Sequence, residues 1–224
     1  MAVKECRFLA LLLLLLLAGP AFGAPVFAQL DPATAPAGYL ARLLINETPF
    51  PGERGYVGEQ DTKAAMLSVL WVLHARIHHI PAGYKQKEIA AVRTQNTLDV
   101  IMAKNQCEGF YRDAQGNPAA APRVEARVDN LLRIANSGGQ PGRFARLLNF
   151  AQGMARSYLA GGIPGVDRFA ELAEINRIPV TGRAYSWMTG QDFYNPGGNF
   201  VTIPDAQQGL LGGNRFFTLR KEPQ

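Results

Sequence analysis

The chain has 224 residues, of which 23 are Lys or Arg and 18 are Asp or Glu, for a formal net charge of +5. That length builds one compact domain with a real core and is short for two. The basic residues are scattered rather than gathered into a stripe, which argues against a nucleic-acid surface, and no P-loop, dinucleotide glycine fingerprint or Ser-hydrolase elbow occurs.

The first element reads as an export signal. Lys4 and Arg7 form a positive start, and Phe8 to Ala18 is an apolar run containing seven consecutive leucines. Such a run is too short to span a bilayer, which takes about 20 residues. Small residues at Ala21 and Gly23, or at Val26 and Ala28, suit cleavage after Gly23 or after Ala28, so residues 1–28 are read as a signal peptide and the protein as exported, periplasmic or extracellular. Loss of Lys4, Glu5 and Arg7 leaves a net charge of about +4, compatible with an anionic polymer partner. Cys6 leaves with the signal, so Cys107 has no internal disulfide partner.

Residues 29–38 are rich in Pro and Ala and read as an extended leader, with one domain over 39–224. Helix is predicted over 39–47, where Leu40, Leu43, Leu44 and Glu47 fall on one face at i, i+3, i+4 and i+7. Thr48-Pro49-Phe50-Pro51-Gly52 stops it, since Pro lacks the N–H donor and clashes with the preceding turn. Glu47 is therefore an acid set at the end of an apolar face. Burial disfavours the charged form of a carboxyl, and a carboxyl kept neutral near pH 7 is a proton donor. The plainer alternative is a helix-end Glu pointing into water.

A long helix is predicted from about 63 to 79, N-capped by Asp61-Thr62 and buried through Ala65, Met66, Val69, Leu70, Leu73 and Ile77. Short helices are expected near 86–93 and 97–102, then a Gly/Pro-punctuated loop over 106–122 that could hold a hairpin. Helices follow at 123–136 and 143–161. The last sixty residues read as irregular, with strands near 200–203 and 216–219.

Three other groups are candidates for chemistry. His74, His78 and His79 have one i, i+4 pair, but the glutamate that accompanies such a pair in zinc peptidases is missing, so no metal and no cofactor are expected. Cys107 with a histidine brought near by the fold could make a peptidase. Glu53, Glu59 and Asp61 could each supply a second carboxylate.

Four stretches, in order, resemble the cell-wall hydrolases of the spore-cortex-lytic SleB type. They are Ala41 to Glu47 with its loop to Gly58, the helix Ala64 to Ile77, Leu98-Asp99-Val100-Ile101 leading to Gln106 and Phe110, and Ala155 to Gly161 followed by Gly212-Gly213-Asn214-Arg215-Phe216-Phe217. Departures are Asn214 where a His is common and Cys107-Glu108-Gly109 between Gln106 and Phe110. The resemblance implies a mainly α, lysozyme-like single domain with an irregular, loop-rich C-terminal part. It implies cleavage of the peptidoglycan glycan strand by a lytic transglycosylase or muramidase route, with Glu47 as catalytic acid and base. Gln106, Phe110, Tyr111, Asn214 and Phe217 would bind the glycan, and peptidoglycan is the expected partner of a monomer that inserts in no membrane. The alternatives are a peptidase using Cys107 on the peptide stems and an envelope or secretion-associated protein that binds glycan without turnover.

Overall fold

The computed structural model describes residues 26–163, 165–189 and 196–222. Most of the expected export signal, residues 1–25, lies outside the described residues. Six helices are present among them: α1 (Pro36–Asn46), α2 (Glu59–His78), α3 (Gln86–Ala90), α4 (Thr97–Met102), α5 (Pro122–Asn136) and α6 (Arg143–Leu159). Eight short strands accompany them: β1 (Phe110–Arg112), β2 (Pro118–Ala120), β3 (Glu174–Ile175), β4 (Ile178–Pro179), β5 (Ser186–Thr189), β6 (Phe200–Thr202), β7 (Leu210–Leu211) and β8 (Asn214–Leu219). The mixture of helices with several antiparallel sheets corrects the mainly α, lysozyme-like architecture expected from the sequence.

The centre of the molecule is α1. Tyr39, Leu40, Ala41, Leu43, Leu44 and Ile45 are wholly buried, so the helix is enclosed on every side and not on one face. It packs against α6, α5 and α2. Arg42 is the charged residue inside this wall, and its guanidinium donates to Glu125 at 2.9 Å and to the carbonyls of Asp31 and Gly38. The segment 28–32 is no free arm. Ala28 and Leu30 are buried, and Asn136 clamps Ala28 through both ends of its amide. Gly38 is required where that segment crosses α1, because a Cβ there would lie 2.1 Å from the Pro32 carbonyl oxygen.

The second buried helix, α2, begins earlier than its sequence suggests. The residues expected to cap it are used elsewhere: Thr62 donates to the Pro49 carbonyl and Asp61 accepts the Gly212 N–H at 2.7 Å. Its last two turns carry the histidines. The His74 ring lies 4.4 Å from that of His78 and 5.3 Å from that of His79, centroid to centroid. Burial, and then electrostatic repulsion from His78, His79 and Arg183, push His74 down to about 4. The folded state therefore refuses a proton that the unfolded chain accepts below its ordinary value of 6.5. Stability should fall as the pH drops from about 6.5 towards 4, and a His74→Gln variant should lose part of that slope in thermal melts taken across the window. Equal slopes in the two proteins would remove His74 from the account.

In the C-terminal third, β8 is the inner strand of the main sheet, flanked antiparallel by β5 and β6, with β7 paired to its start. The register sets Thr189 opposite Asn214 and Trp187 opposite Phe216. Because strand side chains alternate between faces, Trp187, Thr189, Asn214 and Phe216 share one face. That face meets the C-terminal end of α1.

Candidate active site

Glu47 caps the C-terminus of helix α1, its N–H still bonding the Leu43 carbonyl at 2.9 Å. Thr48 then turns its hydroxyl back onto the Leu44 carbonyl at 2.7 Å, and Pro49 prevents another helical turn. The result is a carboxyl held at the edge of the core, only 9% exposed.

Each oxygen of that carboxyl has protein donors. Asn46 donates its amide to Oε1 at 3.1 Å. The Trp187 indole N–H reaches Oε2 at 2.9 Å, and the Thr189 hydroxyl reaches the same oxygen at 2.7 Å. Behind Trp187 lies Arg76 from α2, its guanidinium 5.2 Å from the ring centroid. Arg76 donates to the Tyr185 carbonyl at 2.7 Å and to Gln106 at 2.8 Å, and among the described residues no carboxylate forms an ion pair with it. Burial pulls Arg76 down to about 10, which leaves it cationic at neutral pH.

Two open hollows adjoin here, one of them lined by this carboxyl. One, of about 530 Å³, is lined by Glu47, Gln106, Cys107, Glu108, Arg123 and Trp187. The other, of about 470 Å³, lies over Pro49, Gly55, Arg127, Leu210 and Gly213. Asn46 and Thr189 line both hollows, so the two adjoin along the pair of residues that bond the Glu47 carboxyl, and Glu47 itself lines the first. Three glycines, Gly55, Gly212 and Gly213, are part of the wall of the second hollow. A Cβ on Gly55 would stand 3.1 Å from the Gly213 Cα, and Gly55 itself has φ +87°.

The binding residues named from the sequence are dispersed. Gln106 lines the first hollow. Tyr111 is 44% exposed on the β1–β2 hairpin and lines neither hollow. Phe110, one residue before it, points the opposite way and packs edge-on to Tyr39 with ring centroids 5.3 Å apart. Phe217 is wholly buried on the sheet face opposite Asn214, for the same alternation. Neither ring is open to a sugar. Asn214 is also wholly buried; it reaches Glu47 rather than solvent, donating to the Glu47 carbonyl at 2.6 Å. Asn46, Trp187 and Thr189 belong to the site and carry no motif of their own. The alternation Trp187-Met188-Thr189 is the one local sign of a strand there.

The other candidate groups are committed elsewhere. Glu53 pairs with Arg127, and Glu59 pairs with Lys63 and Arg146, which hold its carboxyl down to about 2. Cys107 is buried, and burial together with the Glu47 charge pushes its thiol up, away from the reactive thiolate. The three histidines line neither hollow, and among the described residues no cluster could hold a metal ion. No family model, curated relative or solved structure matches this chain.

Proposed function

We propose that this protein cleaves the glycan strand of peptidoglycan after export, with Glu47 as the acid and base. The observation that carries the reading is a nearly buried carboxyl with three side-chain donors, opening into one of two adjoining hollows whose shared wall is Asn46 and Thr189, two of those donors. A polymer needs adjoining hollows of this kind, with sugar units on either side of the bond to be broken. The resemblance of the Glu47 segment to the SleB-type hydrolases supports the same assignment.

Glu47 protonates the glycosidic oxygen as its bond to the sugar breaks. The muramic acid C6 hydroxyl then attacks the sugar carbon and passes its proton back to Glu47, which leaves a 1,6-anhydro product. This internal attack is favoured over water because most glycosidases that use water rely on two carboxylates. Here Glu53 and Glu59 are ion-paired and Asp61 is spent on the Gly212 N–H. An internal hydroxyl already held near the reacting carbon supplies the nucleophile at high effective concentration.

The test is digestion of peptidoglycan by the purified mature protein, with products read by mass spectrometry. Anhydro-ended disaccharides are expected. Reducing ends would point to hydrolysis, cut peptide stems to the peptidase alternative, and unaltered glycan to a binding protein. Cys107→Ser should leave the rate of glycan release nearly unchanged, since its thiol is buried and lacks a histidine. Abolished activity in a folded Cys107→Ser protein would restore the peptidase reading.

A further inference from the structure

The Thr189 hydroxyl has one proton and, besides the more distant Glu47 carbonyl at 3.5 Å, two acceptors within easy reach, Glu47 Oε2 at 2.7 Å and Asn214 Oδ1 at 2.9 Å. Asn214 cannot exchange the ends of its amide. Its Nδ2 donates to the carbonyls of Glu47 and Gly212, at 2.6 and 3.2 Å, and a turned amide would set oxygen against both. Asn214 Oδ1 therefore faces Thr189 in every state of the site.

We infer that Thr189 and Asn214 act as a positioning pair in which the Thr189 hydroxyl turns with the charge state of Glu47. When Glu47 holds its transferable proton on Oε1, Oε2 is a neutral carbonyl oxygen that already accepts the Trp187 N–H, and the Thr189 hydroxyl donates to Asn214. Proton donation to a leaving oxygen makes Glu47 a carboxylate. The hydroxyl then swings from Asn214 to Oε2 and joins the Trp187 N–H there. The anion thus gains one donor over the neutral acid. The other ionisable groups around this carboxyl are Cys107 beside it, Arg76 behind Trp187, and the Arg123–Glu108 pair at the rim of the hollow. None of them is in hydrogen-bond contact with Thr189 among the described residues.

The inference rests on the reading of Glu47 as acid and base, so its test has one readout that needs no turnover. Thr189→Val removes the hydroxyl at nearly equal volume on an exposed strand end, and Thr189→Ser restores it. On peptidoglycan, kcat should fall roughly ten- to a hundredfold in the Val variant, the range for one hydrogen bond to a charged group, with KM unchanged. The Ser variant should recover most of the rate. In ¹³C-glutamate-labelled protein, the Glu47 carboxyl resonance, identified by its loss in Glu47→Gln, should move in Val and return in Ser. A Val variant with wild-type rate, or a Ser variant as slow as Val, overturns the inference. If the wild type releases no glycan product, the proposed function fails, and the carboxyl resonance alone decides whether the hydroxyl is coupled to Glu47.

Discussion

Glu47→Gln is expected to lose about 10² to 10⁴ in rate of glycan release, the range for removing a general acid. Gln is close to isosteric, and an amide oxygen can still accept from Trp187 and Thr189, so the fold and the cleft should persist. The measurement is release of soluble glycan from purified sacculi, beside a thermal melt of both proteins. A folded Gln variant as fast as the wild type would falsify the assignment of Glu47. A variant that melts far below the wild type would instead mark Glu47 as a structural residue of the α1 terminus.

Arg127→Met should have the largest effect among residues outside the carboxyl's own contacts. From α5, Arg127 grips the chain on both sides of Glu47, donating to the carbonyls of Ile45 and Thr48. It also holds both oxygens of Glu53, and Glu53 in turn accepts the Phe50 N–H at 2.7 Å. Methionine keeps an apolar stem over the Phe50 ring, where the guanidinium now lies 5.6 Å from the centroid. It removes every donor. The expected loss is about 2–3 kcal/mol in denaturant unfolding, since polar groups at the end of α1 are left without partners. Activity should drop by a lower kcat more than a higher KM, because the carboxyl loses its fixed placement. Lysine should not rescue, as a single ammonium cannot serve two carbonyls and a carboxylate at once. Wild-type stability in both variants would show that the α1 terminus holds itself.

The helices were legible in the sequence to within a few residues, because each carries enough turns for the apolar pattern to repeat. The long one begins at Glu59 and not near 63, since Asp61 and Thr62 bond to Gly212 and Pro49 and do not cap. The fold class was misjudged in the C-terminal third. Its strands are two to six residues long, too short for alternation to stand out among Gly, Pro and Asn. β6 and β8 were anticipated, but β5 was not, and β5 brings Trp187 and Thr189 to the site. Glu47 could be picked out because a helix end and a carboxyl are both local features. Its partners could not, because they depend on strand register. One residue of offset separates Phe216 from Phe217, and the same parity puts Asn214 beside Glu47 and turns Phe217 away.

The separation along the chain between Glu47 and its partners has a consequence for the order in which the protein becomes competent. Trp187, Thr189 and Asn214 lie 140, 142 and 167 residues downstream. Contacts of such long range form late, after the local helices, because closing the intervening chain costs entropy that only the finished sheet returns. A nascent or truncated chain that stops short of β8 has its acid in place but undressed, with neither hydroxyl nor indole upon it. The carboxyl thereby gains its indole and hydroxyl donors only when β8 joins the sheet, so the site is completed by nearly the last strand to leave the ribosome.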